Sequence, residues 1–151
     1  MTHGVRIGVD VGSVRIGVAA SDADGTLSLP VTTVRRDERG ASDLAQIARL
    51  VADRAAVEVV VGLPRTRAGR EGKAAAAARE FADALAARIA PVPVVLVDER
   101  LTTVSAARSL RAAGRSSKQQ RDVVDQVAAA ELLQSFLDAT RAGSSSGERI
   151  S

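Results

Sequence analysis

Apolar and other residues alternate at the start of the chain: Val5, Ile7, Val9 and Val11 are separated by Arg6, Gly8 and Asp10. That period of two predicts a pleated strand. Gly12-Ser13-Val14-Arg15 predicts a short reversal, after which Ile16, Val18 and Ala20 resume the alternation until the polar stretch 21–25. A third strand is expected over 27–34, where Pro30, unable to donate to a ladder, favours an edge position or a bulge. The rhythm then changes. Leu44, Ile47, Ala48, Val51 and Ala55 fall on one helical face behind Ser42, a residue suited to cap a helix N-terminus. The run 57–63, apolar apart from Glu58, predicts a buried strand. A second helix is expected over 71–89, with Ala77, Ala78, Phe81, Leu85 and Ile89 on one side and Pro91 and Pro93 closing it. A strand over 94–98 follows, then helices over 103–113, ended by Gly114, and over 120–140.

Three antiparallel strands followed by alternating helices and strands imply a mixed five-stranded sheet with helices on both faces, an α/β fold. A chain of 151 residues, 46% hydrophobic, can bury one sizeable core and has no room for a second. The expectation is a single domain over 5–140, a flexible stretch 1–4 and a disordered Ser- and Gly-rich tail 141–151. No apolar run reaches the roughly 20 residues of a membrane span, and the start lacks the apolar core of a signal peptide, so a cytoplasmic protein is expected.

The residue types present narrow the chemistry. With no cysteine, thiolate catalysis, thiolate zinc sites and disulfides are excluded. The single histidine, His3, lies next to the N-terminus, which leaves a Ser-His-Asp triad without its central member. Acid and base work falls to carboxylates, Lys, Arg or metal-activated water. Three carboxylates are suggestively placed. Asp10 sits mid-strand among valines, where desolvation is costly unless something positive occupies the space beside it. It precedes Gly12, whose missing side chain would let a phosphate or metal approach the backbone, although an Asp can equally cap its own turn. Asp98 ends the 94–98 strand and Glu99 follows it, the two pointing to opposite faces by alternation, with spacing alone unable to choose between them. Asp125 shares a helix face with the small Ala128 and Ala129, which would let that helix approach the sheet closely; its alternative role is to interact with the helix dipole. Together the three could hold a divalent metal.

The net charge of +3 is modest, but its distribution is not even. Residues 65–73 carry a balance of +3 and residues 101–121 a balance of +5, which leaves −5 for the rest of the chain. Two basic segments suit a polyanion, though a charge run can also be an ordinary solvated helix face. Phe81 and Phe136 are the only aromatics and fall on apolar helix faces, so base stacking is not expected to contribute. A P-loop reading of 69–73 fails because Arg67 stands at the required upstream glycine and Ala74 replaces Ser or Thr. An actin-like or sugar-kinase-like ATPase needs two lobes, and this chain supplies one.

Four ordered blocks carry a family resemblance: Val9-Asp10-Val11-Gly12-Ser13-Val14-Arg15-Ile16-Gly17-Val18-Ala19-Ala20-Ser21-Asp22; Val61-Gly62-Leu63-Pro64 with Gly69 and Gly72; Val97-Asp98-Glu99-Arg100-Leu101-Thr102-Thr103; and Asp125 with Ala128-Ala129. Over about 6–138 the chain resembles the YqgF/RuvX family, whose bacterial members are described as pre-16S rRNA nucleases and as Holliday junction resolvases. The resemblance implies a ribonuclease H-like fold and a metal-dependent nuclease, with pre-16S rRNA 5′-end processing in ribosome biogenesis as its role. Junction resolution in DNA recombination is the alternative, and a non-catalytic nucleic-acid-binding module is the alternative of another class. It assigns catalysis and metal binding to Asp10, Glu99 and Asp125, resolving Asp98 against Glu99 in favour of the latter, with Arg15, Arg100 and Thr103 in support. The cofactor implied is Mg²⁺ or Mn²⁺, as a pair of ions. Structured RNA or branched DNA would be held by Arg15, Arg65, Arg67, Arg100, Arg111, Arg115, Lys118 and Arg121. Symmetric junction cutting requires two sites and hence a homodimer, whereas RNA processing is open to a monomer. One departure is visible: Thr66 and Ala68 stand where members often carry Asn or Asp, which bears on the substrate contacts of the 65–72 loop.

Overall fold

The alternation at the chain start becomes a hairpin of β1 (Arg6–Val11) and β2 (Arg15–Ser21). The computed structural model describes residues 3–65, 68–101, 118–143 and 147–150. The hairpin is closed by a hydrogen bond from the Gly12 amide to the Arg15 carbonyl, 2.9 Å, and its register pairs Asp10 with Gly17. β3 (Ser28–Arg35) adds to β2 antiparallel, with the register slipping between Val18 and Ala19 where Pro30 lies opposite. Pro30 therefore occupies both an edge strand and a bulge. β4 (Glu58–Leu63) pairs parallel with β1 and β5 (Val94–Asp98) parallel with β4, each after a crossover helix, α1 (Ser42–Asp53) or α2 (Lys73–Ile89). After a single 3₁₀ turn, Glu99–Leu101, the last helix is α3 (Lys118–Arg141). The helix expected over 103–113 lies outside the described residues.

A correction concerns the number of strands. The sheet has six, in the order β3-β2-β1-β4-β5-β6, because Gly147–Ile150, expected in a disordered tail, pairs antiparallel with β5 as β6. The residue sequence hides this strand because it is short, largely exposed and carries no apolar run. It is anchored by charge: Glu148 takes two hydrogen bonds from Arg79 of α2, at 2.8 and 3.1 Å. The N-terminal stretch is likewise tied, since the Gly4 amide donates to the Ala23 carbonyl at 2.8 Å.

Both faces of the sheet are covered, which explains why all six β1 residues are buried. Ile7, Val9, Val11, Val59 and Val61 pack with Ile47 and Val51 of α1 and with Phe81 and Leu85 of α2. Val60, Val95 and Val97 face the other way, onto Leu132, Leu133, Phe136 and Leu137 of α3. Each fully buried leucine contributes about 1.5–3 kcal/mol over an exposed one. Ser42 does not cap α1. The position before it is Ala41 in a left-handed conformation, and Asp37 gathers the start of the helix by accepting from the Ser42 hydroxyl (2.6 Å), the Ser42 amide (3.1 Å) and the Gly40 amide (2.8 Å).

Candidate active site

Even-numbered positions of β1 face α3, so Asp10 points out of the strand on that side, under the helix. Its two neighbours across the ladder are glycines. Gly17 of β2 is its antiparallel partner. Gly62 of β4 is level with it one step beyond the Val9–Val61 pair of the parallel register. Each glycine leaves a space that another carboxylate residue fills. A Cβ on Gly17 would collide with the Asp125 carbonyl, and a Cβ on Gly62 would stand 2.6 Å from Glu99 Oε1. Gly8 acts the same way further along β1, where a Cβ would stand 2.8 Å from Leu133 Cβ and 3.0 Å from the Ala129 carbonyl. The helix therefore lies directly on the backbone of the hairpin, with its small residues Ala128 and Ala129 fully buried.

Asp10, Glu99 and Asp125 are accordingly buried on one face, at 3%, 3% and 7% exposure. Asp98 ends the strand on the opposite side, where Arg100 holds it through Nη2 at 2.7 Å, Nε at 3.1 Å and its backbone amide at 2.9 Å. Those bonds, opposed by desolvation, keep the Asp98 carboxyl below its ordinary range. Alternation thus separates the two neighbours, with Asp98 in an ion pair and Glu99 over Gly62. The three carboxylates do not close into one ligand set as they stand: among the described residues, no three acidic groups lie close enough to hold an ion. Arg15 stands beside Asp125, its Nε donating to Oδ2 at 2.8 Å and lying 3.5 Å from Asp122 Oδ1. The donor set nevertheless fits a hard cation in kind, being all oxygen, and buried carboxylates are costly without a compensating charge.

Asp10 and Asp125 also line a cleft of about 500 Å³ at the end of the β1–β2 hairpin. Its other walls are the turn residues Gly12 and Ser13, Arg36 and Glu38 after β3, and Lys73, Ala74 and Ala77 in the first turns of α2.

The expected nucleic-acid cations are placed unevenly. Arg15 is bound to Asp125, Arg100 to Asp98, and Arg65 lies 3.4 Å from Glu71 and 3.7 Å from Asp98. Arg121 is exposed on α3. Lys118 is the first residue of that helix, and Arg67, Arg111 and Arg115 lie outside the described residues, as does Thr103. Sequence reasoning missed Arg36 and the roles of Gly17 and Gly62, and it marked Lys73 only as part of the basic segment 65–73. For the glycines a signal existed: glycine inside a strand weakens it and marks a place where another group approaches closely.

A family model described as Holliday junction resolvase, RuvX, matches residues 4–139. The chain belongs to the RuvX family. Among related RuvX-family sequences, a protein of Mycobacterium sp. (strain KMS) named "Putative pre-16S rRNA nuclease" is 61% identical over 140 residues, covering 93% of this chain and 83% of its own. A protein of the same name from Nocardioides sp. (strain ATCC BAA-499 / JS614) is 58% identical over 156 residues, covering 99% and 98%. In fold, the chain is similar to T. thermophilus RuvC in complex with a Holliday junction substrate, with a TM-score of 0.61 at 13% identity over 97% of this chain and 100% of that one. Thermus thermophilus RuvC in a second structure gives 0.59 at 14%, over 95% and 99%. The mixed α/β sheet expected from the residues, and the ribonuclease H-like architecture implied by the family resemblance, are thus observed, with a sixth strand added. Among the described residues, no helix is long and apolar enough to cross a membrane.

Proposed function

We propose that this RuvX-family nuclease hydrolyses phosphodiester bonds in structured RNA in the cytoplasm, with the 5′ flank of the 16S rRNA precursor as substrate and with Asp10, Glu99 and Asp125 as its catalytic, metal-binding carboxylates. The observation that carries the reading is the pair of in-strand glycines flanking Asp10, each of which admits one of the other two carboxylate residues. Three buried acids on one sheet face are expensive for a merely structural purpose and suited to Mg²⁺ or Mn²⁺. A pair of such ions supplies Lewis acidity for the attacking water and for the departing oxygen. Within the chain, Arg15 fixes the orientation of Asp125 through Nε, and the burial of Asp10 and Glu99 keeps bulk water from competing for them. The arginines of 65–67 and 108–121, with Lys118, hold phosphates along the substrate backbone and supply affinity with little base selectivity. The RNA substrate is favoured by the relatives named for it, which share more than half of their aligned residues with this chain.

The test is a cleavage panel of precursor-derived structured RNA, a four-way DNA junction and unstructured single strands, each with Mg²⁺, with Mn²⁺ and with EDTA, beside the Asp10→Asn protein. Metal-dependent cutting of the RNA, absent in Asp10→Asn, is expected. Cutting of the junction in preference to the RNA would transfer the activity to DNA, and equal cutting by Asp10→Asn would remove the carboxylate site.

A further inference from the structure

The cleft beside Asp10 and Asp125 has a second end that the hydrolysis itself does not use. We propose that it receives the unpaired nucleotide next to the scissile phosphate, and that Lys73 neutralises that nucleotide's phosphate; the proposal rests on the nuclease reading and specifies which part of the substrate must be single-stranded. The volume, about 500 Å³, is of the size that takes a small ligand, and a single nucleotide fits within it. Its lining carries both signs: Asp10 and Asp125 repel a phosphate unless a cation intervenes, and of the remaining charges Glu38 is engaged by Arg36, which leaves Lys73 at the start of α2.

The two cations differ. Arg36 is held in place: it lies 3.3 Å from Glu38 and 3.6 Å from the buried Asp43, with its guanidinium 5.5 Å from the centre of the Phe81 ring. Lys73 is exposed and makes no ion pair among the described residues. It is one of only two lysines in the chain, the other 19 basic residues being arginine. A compact ammonium on a flexible stem suits a phosphate whose position varies with the substrate. Beside Lys73 on α2, Ala74 and Ala77 leave an uncluttered wall on which a ribose or base can lie.

Binding by the cleavage-deficient Asp10→Asn protein tests this by fluorescence anisotropy, using two RNAs of equal length: one hairpin with a four-nucleotide 5′ overhang and one blunt hairpin. Two further changes are made in that background: Lys73→Glu reverses the charge, and Ala74→Phe, at an exposed position, fills the cleft without altering charge. Both are expected to weaken binding of the overhang hairpin about tenfold, to leave the blunt hairpin within twofold, and in Lys73→Glu to reduce the log–log salt slope by roughly 0.7, the value for one single-strand phosphate contact. Equal weakening of both hairpins by Lys73→Glu, or unchanged overhang binding with either variant, overturns the cleft assignment while leaving the nuclease reading in place. Failure of the parent Asp10→Asn protein to bind either RNA counts against the nuclease reading, and the cleft assignment falls with it.

Discussion

Asp10, Glu99 and Asp125 differ from the other acids of this chain in being buried together on the α3 side of the sheet. Conservative amide substitutions should expose that difference. Asp10→Asn, Glu99→Gln and Asp125→Asn are each expected to lower the cleavage rate by at least about a hundredfold, the scale of losing one charged group that stabilises a transition state. RNA affinity should stay within a few-fold, as read by anisotropy. Asp98→Asn is the discriminating control: it loses the Arg100 and Arg65 pairs on the far side of the strand, so cleavage should fall by less than tenfold. The reverse order, with Asp98→Asn dead and Glu99→Gln active, would assign the site to the wrong neighbour. Read from the residues alone, the sequence singles out Asp10, Asp125 and the Asp98–Glu99 pair, and only the family resemblance chooses Glu99. What it does not convey is which arginines are committed elsewhere: Arg15 meets Asp125 from 110 positions away, and although Arg65 and Arg100 meet the nearby Glu71 and Asp98, those pairs form only because the loop and the strand end bring the side chains together.

Elements meet here through missing side chains. Helix α3 rests on β1 and β2 because Gly8 and Gly17 present bare backbone, and its Asp125 comes into place as part of that contact. Gly17→Ala should therefore be costly, about 1–3 kcal/mol for overpacking a tight contact, seen as a lower urea midpoint at unchanged m-value. Cleavage should fall with it even at temperatures where the variant is fully folded, since the helix carrying Asp125 must shift. A variant with wild-type stability and activity would show that the contact is loose. At the start of α1, Asp37 accepts hydrogen bonds from the Ser42 hydroxyl and from the Gly40 and Ser42 amides, which hold its carboxyl down to about 2. A depressed carboxyl stabilises the fold fully above its ordinary value near pH 4, and the contribution is lost as pH falls through about 2. Asp37→Asn should thus be less stable than wild type in thermal melts at pH 5 to 7. The gap should close between about pH 4 and pH 2; a gap independent of pH would mean that the carboxylate charge is not what organises the turn.

On the scale of the whole molecule, charge and topology separate what could be read from the chain. The helix and strand rhythm of 5–98 is legible because each element shows an apolar face of the right period. β6 is not, since its pairing with β5 depends on an edge that exists only after the sheet has formed, and its hold on α2 depends on the Glu148–Arg79 pair. The basic segments are legible as charge only. Replacing Arg111, Arg115 and Lys118 with Glu should weaken RNA binding across all substrates and flatten its salt dependence, because each lost phosphate contact removes counterion release. A salt slope equal to that of wild type would make the segment an ordinary solvated face.

The pairing of Arg15 with Asp125 joins residues 110 positions apart, and Asp10 lies still nearer the N-terminus. Synthesis proceeds from that end at roughly 5–20 residues per second, so the hairpin bearing Asp10 is exposed to its surroundings well before α3 exists. A growing chain therefore displays Asp10 and, later, Glu99 without the helix that carries Asp125. If the proposed set is the site, cutting must wait until α3 has been made, and fragments ending before α3 should carry no cutting activity.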